Sequence, residues 1–354
     1  MDVFAGVDCH KESHAIIFVA ENGRVIRELS IAADLHGYAE AIATGSELGH
    51  VKWGLEGTGV YGRAFANALL AANMDVYEVP GAFTKRHRKH SSRHGKSDRA
   101  DALAIAEAVL READRLPRFR EFAEQEALRL RYDQRDRLIR ERTAIINRLR
   151  SQALRLGVIS LPSKITRRNS IQGIKAAVEA IRTGGLVKDA LIDDLLYDIS
   201  SIERINDRVA AIELAISPLV RSLAPELLAL RGVSIVTAAG LIGHTGDLRN
   251  TRNADAFAMR SATAPVPWSS GKNQGVRINT GGNRQLNRLL YITALVQLRF
   301  PNQAGRLYYD RKCSEGKSPK AAMRSLKRQL ATVVYYRLRL CQERIEQRLN
   351  AVAA

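Results

Sequence analysis

Cysteine is scarce in this sequence, and its three copies are too far apart to form a familiar cysteine motif. Cys9, Cys313 and Cys341 include no CxxC pair, so the sequence indicates neither a zinc site nor a disulfide framework. No apolar run approaches the ~18 residues that a membrane-spanning helix needs, and residues 1–5 lack the basic start of a signal peptide. These absences predict a soluble protein of the reducing cytoplasm with no membrane partner.

Acidic residues are outnumbered, with 37 Asp and Glu against 55 Lys and Arg. The formal net charge of +18 and the isoelectric point near 10.2 indicate a polyanionic partner, and nucleic acid is the first candidate. Charge alone does not separate DNA from RNA or from an anionic membrane surface. A basic but merely soluble protein is the remaining alternative.

The first hundred residues alternate predicted strands and helices. Three β-branched or apolar segments predict strands at residues 3–7, 14–20 and 24–31, and Asn22-Gly23 is typical of a two-residue hairpin turn. Further segments predict, in order, a helix, a strand, a helix and a strand at residues 38–48, 51–55, 61–74 and 76–79. A hairpin sheet followed by βαβ units is the order expected of an α/β, ribonuclease-H-like (RuvC-like) domain, although other α/β folds share it.

The middle of the chain is charged and helical over residues 121–156, without Gly or Pro. A second helical stretch carries an apolar seam with heptad spacing, made of Leu195, Ile202, Val209 and Ile216, with Ile205, Ile212 and Leu219 three residues behind. The seam predicts either a helical hairpin within one chain, with a loop at its tip over residues 160–185, or an oligomerisation arm. A mostly helical domain with a basic tail at residues 304–348 follows, so the expected domains are residues 1–118, 119–224 and 225–345.

Four acidic residues stand out by their positions. Asp8 and Glu56 end predicted strands, whereas Asp98 and Asp101 are spaced i, i+3 and therefore share one face of a helix. Phosphodiester cleavage by two metal ions needs several carboxylates in a small space, and hard oxygen ligands suit Mg²⁺. Taken singly, each acid has an ordinary alternative, such as a strand-end residue or, for Asp98, a helix N-cap. The basic cluster at residues 85–99 predicts a phosphate-binding loop or a solvated segment.

Together these residues resemble the DEDD insertion-sequence transposases that carry a RuvC-like domain, the family of bridge-RNA-guided recombinases. The similar segments are residues 6–11 (GVDCHK), 56–61 (EGTGVY) and 97–102 (SDRADA). The resemblance implies that Asp8, Glu56, Asp98 and Asp101 are the catalytic carboxylates and that they bind Mg²⁺.

The C-terminal half resembles the same family through three other segments. Residues 230–239 (LRGVSIVTAA) are similar to a helix-hairpin-like segment, with Arg-Gly-Val-Ser in place of the usual Pro-Gly-Ile-Gly, and residues 280–291 (TGGNRQLNRLLY) to a Gly-Asn-Arg helix start. In residues 264–272 (APVPWSSGK) the family places its catalytic serine just before a glycine, which selects Ser270 over its neighbour Ser269. Without the resemblance Ser270 is an ordinary turn residue. Some of the basic residues around this segment are expected to contact nucleic-acid backbones. The candidates are Arg249, Arg252, Arg260, Lys272, Arg277, Arg284 and Arg288.

The resemblance implies a DNA recombinase that cuts and rejoins strands through a serine–DNA phosphodiester, guided by a structured RNA that the element encodes. It also implies a homo-oligomer, dimer or tetramer, with composite active sites. A serine hydroxyl is a poor nucleophile at its free pKa, so help from metal ions on the four acids is expected. Two alternatives remain: a junction-resolving nuclease that uses water, and a non-catalytic nucleic-acid-binding protein.

Overall fold

The computed structural model describes residues 2–58, 61–81, 97–120, 123–157, 161–162, 165–166, 168–270 and 273–353. The chain divides into two compact units, Met1–Glu121 and Phe122–Ala354. Within the described residues, every helix is too short or too polar to span a bilayer. Of the basic cluster predicted to bind phosphate, residues 85–96 lie outside the described part of the chain.

The first unit is built on a mixed sheet of five strands among the described residues. The strands are β1 (Val3–Cys9), β2 (Ser13–Ala20), β3 (Val25–Ala32), β4 (Val51–Glu56) and β5 (Asp75–Glu78). The first three pair antiparallel, β4 pairs parallel with β1, and β5 pairs parallel with β4. The order β3-β2-β1-β4-β5 is that of the ribonuclease-H-like fold, which confirms the predicted fold class.

The predicted hairpin turn joins β2 to β3. Gly23 takes φ +80°, a conformation that glycine adopts without steric cost, and its backbone N–H donates to Ala20 O at 2.8 Å. Four residues, 21–24, separate the two strands, and Asn22 does not take the positive φ that a two-residue type I′ turn needs. The hairpin lies where the Asn-Gly pair predicts it, but the prediction of a two-residue turn was wrong.

Helices cover both faces of this sheet. They are α1 (Leu35–Leu48), α2 (Arg63–Ala71) and α3 (Asp98–Glu112), with a short 3₁₀ turn at Ala113–Arg115. One core contains Val7 and Trp53 of the sheet together with Tyr38 of α1 and Phe65 of α2. The other face of the sheet packs against α3 in a separate core, so α3 alone among these helices covers the face that carries Gly6 and Asp8.

The second unit begins with two long helices, α4 (Ala123–Arg155) and α6 (Leu186–Leu223). Ion pairs Arg135–Glu213 and Arg148–Asp198 connect them in opposite sequence directions, so the helices are antiparallel. Six of the seven predicted seam residues are buried and Leu219 is partly buried. They pack within the chain, in cores that α4 shares. The seam therefore forms the interior of a hairpin rather than a free oligomerisation face.

The prediction of a loop over residues 160–185 was wrong for part of that segment. A short helix, α5 (Arg168–Glu179), occupies it, and Ile171, Ile174 and Val178 are buried against the hairpin. These apolar residues are three to four positions apart, which is the spacing of one helix face. The basic and glycine-containing composition had concealed this periodicity.

The rest of the second unit is mostly helical, as predicted. Its elements are α7 (Pro225–Leu228), α8 (Ile235–Thr245), a 3₁₀ turn (Leu248–Asn250), α9 (Ala254–Arg260), strands β6 (Pro265–Ser270) and β7 (Asn273–Ile278), α10 (Arg284–Leu298), α11 (Ala304–Ser314) and α12 (Pro319–Ala353). A single core joins Ile216 of the hairpin with Ala239, Leu289 and Val334 of the later helices. A separate domain beginning at residue 225 stays a prediction.

Candidate metal centre and serine hairpin

Two glycines in adjacent strands allow α3 to lie directly on the sheet. Gly6 of β1 and Gly54 of β4 are partners in the parallel register. A Cβ on Gly6 would lie 2.1 Å from Ala102 O and 2.2 Å from Ala106 N, both in the backbone of α3. A Cβ on Gly54 would lie 2.3 Å from the Val109 side chain. Helix and sheet approach each other closely because no side chain separates them here.

The same register places two of the predicted acids. Asp8 follows Gly6 by two residues, and Glu56 follows Gly54 by two residues. The two acids are register partners across β1 and β4. Since side chains in a strand alternate between faces, residues two apart share a face. Asp8 and Glu56 therefore lie at the carboxyl ends of neighbouring strands, on the face that α3 covers.

Helix α3 supplies the other two acids from its first turn. Ser97 caps the helix, because its side-chain oxygen accepts a hydrogen bond from the Ala100 N–H at 3.2 Å. The cap is thus Ser97 and not Asp98, which removes one ordinary explanation for Asp98. Arg99 forms a bidentate ion pair with Glu28 of β3, and this contact ties the start of α3 to the sheet.

The structure brings Asp8 and Asp98 together with His10, a residue that the sequence motif contained but that we had not predicted as part of the site. One side-chain ligand atom from each lies within 4.8 Å of the others. His10 Nε2 is 3.1 Å from Asp8 Oδ2 and 3.3 Å from Asp98 Oδ1. His10 follows Asp8 by two residues, and that spacing was the available signal.

Among the described residues, the group within 4.8 Å includes neither Glu56 nor Asp101, but both acids act electrostatically on residues at this end of β1. Burial raises the pKa of Asp8; His10 opposes this rise, and the Asp101 and Asp98 carboxylates add to it. Burial raises the pKa of the neighbouring Cys9 thiol to about 12, and the Asp8 and Glu56 carboxylates contribute to that rise. Asp101 itself is only 7% exposed. The site thus concentrates like charges, an arrangement that a bound cation would relieve.

Ser270 lies in the second unit, at the tip end of the β6–β7 hairpin. Its backbone is the register partner of Asn273, and that of Ser269 is the partner of Gln274. Gly271 and Lys272, which follow the serine, lie outside the described residues. Sequence patterns had not located this hairpin, because two prolines and two glycines within residues 265–278 obscure the strand pattern.

The two other C-terminal motifs, at residues 230–239 and 280–291, have structural roles in this chain. Gly232 takes φ +93°, and a Cβ there would lie 2.7 Å from Thr293 O of α10. Ser234 caps α8 by accepting from the Thr237 N–H at 3.2 Å. Asn283 caps α10 by accepting from the N–H groups of Gln285 and Leu286. These contacts fix the starts of α8 and α10 within the core of the second unit.

Two family models match the chain and together cover more than half of it. Residues 5–156 match the DEDD transposase family of IS110-type elements, and residues 224–310 match the transposase family of IS116, IS110 and IS902 elements. This chain belongs to the IS110 transposase family. The first match contains all four predicted carboxylates, and the second contains the β6–β7 hairpin with Ser270.

Similar proteins come from other insertion elements. An uncharacterized 44.8 kDa protein of the IS116 element of Streptomyces clavuligerus is 26% identical, and the alignment covers 95% of this chain and 94% of that protein. A probable family 20 transposase of Pseudomonas aeruginosa is 30% identical over 55% of this chain and 57% of its own length. A Thermus thermophilus RuvC structure with a Holliday junction substrate covers 34% of this chain and 100% of that one, with 16% identity and a TM-score of 0.29.

As a member of this family the chain is a transposase, an enzyme that recombines DNA by transposition. The confirmed family and fold agree with what the sequence predicted. The individual roles of Asp8, Glu56, Asp98, Asp101 and Ser270 belong to the proposal below.

The close contact between α3 and the sheet can be tested by Gly6→Ala. The new methyl group would meet the backbone of α3 at 2.1 Å, so the helix must move and take Asp98 and Asp101 with it. We expect the free energy of unfolding, measured by denaturant titration with far-UV circular dichroism, to fall by about 1–3 kcal/mol, as for an overpacked core, together with loss of transposition activity.

Gly173→Ala is the control: Gly173 lies in α5 with no atom near its Cβ position. That change should be neutral or stabilising by up to ~1 kcal/mol. Equal free energies of unfolding and equal activities of the two variants would contradict the proposed contact between Gly6 and α3.

Proposed function

We propose that this transposase cuts DNA at a divalent-metal centre held by Asp8, Glu56, Asp98 and Asp101, and that Ser270 takes the cut strand as a covalent adduct. The observation that carries the metal centre is the convergence of Asp8, His10 and Asp98 within 4.8 Å. The pairing of Asp8 with Glu56 across the strands supports it.

The donor set fits Mg²⁺ better than a softer metal. Carboxylate oxygens are the ligands that Mg²⁺ prefers, whereas thiolates select other metals. Cys9 is the nearby thiol, but it is buried and its pKa is about 12, so it stays protonated. A bound divalent ion would polarise a phosphate and stabilise the leaving oxygen. The protein's part is to keep Asp8, Glu56 and the two acids of α3 on a rigid sheet and helix.

His10 has a role in the same centre as a partner of Asp8 and Asp98. Its ring is 46% exposed at the side chain, so it can turn away when a cation occupies the carboxylates. We therefore assign the metal to the four acids and place His10 at the rim. His10 opposes the rise that burial causes in the pKa of Asp8, which is the direction in which a bound cation would act.

Asp8→Asn tests the metal centre. Removing this charge should weaken Mn²⁺ binding, measured by isothermal titration calorimetry with the whole protein, by about tenfold or more, and should abolish DNA cleavage in Mg²⁺. Asp114→Asn removes an exposed acid of the same unit and should change neither quantity. Unaltered Mn²⁺ binding and cleavage in Asp8→Asn would exclude the proposed centre.

The serine step conserves the energy of the phosphodiester. The Ser270 hydroxyl oxygen attacks phosphorus, its proton leaves, and the bond from phosphorus to one DNA sugar oxygen breaks. That sugar oxygen leaves as a hydroxyl after taking up a proton. One phosphodiester has replaced another, so the reverse attack by a DNA hydroxyl rejoins strands without ATP. The place of Ser270 in the segment that resembles the family's serine motif, at the last register pair of β6 and β7, supports its assignment as the nucleophile.

Ser270→Ala separates a recombinase from a nuclease that uses water. The variant should lose both the covalent protein–DNA adduct and recombination, while DNA binding persists because one hydroxyl adds little to an interface dominated by phosphate charge. Ser269→Ala is the matched control and should retain both activities. The measurement is a denaturing gel of labelled DNA after incubation with protein and Mg²⁺, followed by peptide mapping of the shifted band. Cleavage that forms no adduct and survives both substitutions would support the water-using nuclease.

Ser270 and the carboxylates must act on the same phosphodiester for this chemistry. We propose, following the family resemblance, that an oligomer supplies them from different subunits. The heptad seam is buried within the chain, so another surface has to form the assembly. The charge of +18 supports a second polyanion beside DNA, and we propose a structured RNA that the element encodes as the guide. A cytoplasmic location follows from these partners.

Mixing two inactive variants tests the composite site. Asp8→Asn retains Ser270, and Ser270→Ala retains the acids, so subunits combined from both would hold one complete site. We expect the mixture to regain adduct formation to roughly a quarter to a half of the wild-type level, depending on the oligomer, since only mixed contacts are productive. The control mixes each variant with itself. A mixture as inactive as its components would place both groups in one subunit.

A further inference from the structure

A large cleft lies in the second unit at the base of the β6–β7 hairpin. Its volume is about 1090 Å³, slightly more than small-molecule sites usually have. Pro265, the first residue of β6, and Asn279, which directly follows β7, form part of its wall. The opposite wall belongs to the beginning of α12.

The lining of this cleft carries one sign of charge. Among the described residues, the side chains that line it include six cations and no carboxylate: Arg284, Lys317, Lys320, Arg324, Lys327 and Arg328. One of them, Arg328, is paired with Asp255, which does not line the cleft. Concave surfaces lined by one sign of charge concentrate the field and attract counterions.

Lys327 lies partly inside this cleft and has no acidic partner among the described residues. It is half-buried, and its ammonium group donates to Asn287 Oδ1 at 2.9 Å and lies 5.8 Å from the centre of the Tyr291 ring. Asn287 in turn donates to Ala262 O at 2.7 Å, so the acceptor is fixed in place. Within the described part of the chain, no carboxylate lies within 4 Å of the Lys327 ammonium group.

The surroundings of Lys327 oppose its charge. Burial lowers the pKa of Lys327, and the guanidinium groups of Arg284 and Arg324 lower it further. A structural lysine would ordinarily be paired or fully solvated. A lysine held in a cationic cleft is stabilised when an anion enters, because the anion supplies the missing counter-charge.

We propose that this cleft binds the backbone phosphates of a DNA strand, with Lys327 as a direct phosphate ligand. Phosphate is the anion that a transposase meets in quantity, and Lys and Arg side chains are its common protein ligands. The exposed Tyr291 ring beside Lys327 adds an aromatic surface on which an unpaired base can stack.

The bound phosphate is a flanking one and not the scissile one. Strand β6 leads from Pro265 at the cleft to Ser270 at the other end, a span of about 17 Å at ~3.4 Å per residue. The cleft would therefore grip DNA several nucleotides from the reacting bond. This inference rests on the proposed function for the position of the strand, but its test measures binding and not chemistry.

Lys327→Gln and Arg324→Gln test the cleft. Affinity for a fluorescein-labelled 25-base-pair DNA duplex is measured by anisotropy at several salt concentrations. Each variant should lower affinity about three- to tenfold at moderate salt and reduce the log–log salt slope by about one, because one phosphate contact is lost. Lys327→Arg should retain the slope. Arg324 is exposed, so its variant keeps the test decisive if Lys327→Gln does not fold.

Arg339→Gln is the matched control, since Arg339 is an exposed cation of the same helix α12 that does not line the cleft. It should leave the salt slope unchanged. A slope equal to wild type in both cleft variants would overturn the proposal, and so would a change seen only with single-stranded RNA of the same length. At saturating protein, Lys327→Gln should still form the Ser270 adduct. Weaker DNA binding in Lys327→Gln with a normal adduct would support the cleft alone. Loss of the adduct in Ser270→Ala with normal DNA binding would support the serine step alone.

Discussion

The contact between α3 and the paired glycines of β1 and β4 is the constraint on which the candidate site depends. Gly6 and Gly54 leave room for the helix backbone itself, and each precedes an acid by two residues. The strand period of two then places Asp8 and Glu56 on the helix-covered face. The Ser97 cap starts α3 with Asp98 and Asp101 in its first turn. A single close approach of helix to sheet thus joins acids from three segments of the chain.

Charge is distributed in opposite ways in the two units. In the first unit, acids gather where burial and mutual repulsion raise the pKa of Asp8. In the second unit, cations line a cleft where burial and neighbouring arginines lower the pKa of Lys327. Both arrangements cost stability in the isolated protein, and a proposed partner relieves each cost: a divalent cation for the acids and DNA phosphates for the lysine.

The helical hairpin shows how one pattern supports two interpretations. The heptad spacing from Leu195 onward is compatible with an interface inside a chain or between chains. The structure packs these residues against α4. The C-terminal part of the seam, from Ile212 to Leu219, joins the core of the later helices. The hairpin is therefore an extension of the second unit's own core. An oligomer, as proposed, must use other surfaces.

Local patterns were enough to predict the ribonuclease-H-like order of elements and the family, because strand alternation, an Asn-Gly pair and short motifs can be recognised without the fold. The same motifs select the four acids that we propose as metal ligands. The sequence did not reveal α5, whose apolar face is hidden in a basic segment, or the β6–β7 hairpin, whose prolines and glycines disguise its strands. Only the tertiary structure added His10 to Asp8 and Asp98 and gathered cations from α10 and α12 around Lys327. Those groupings depend on distances between elements that are far apart in the chain, and packing decides such distances.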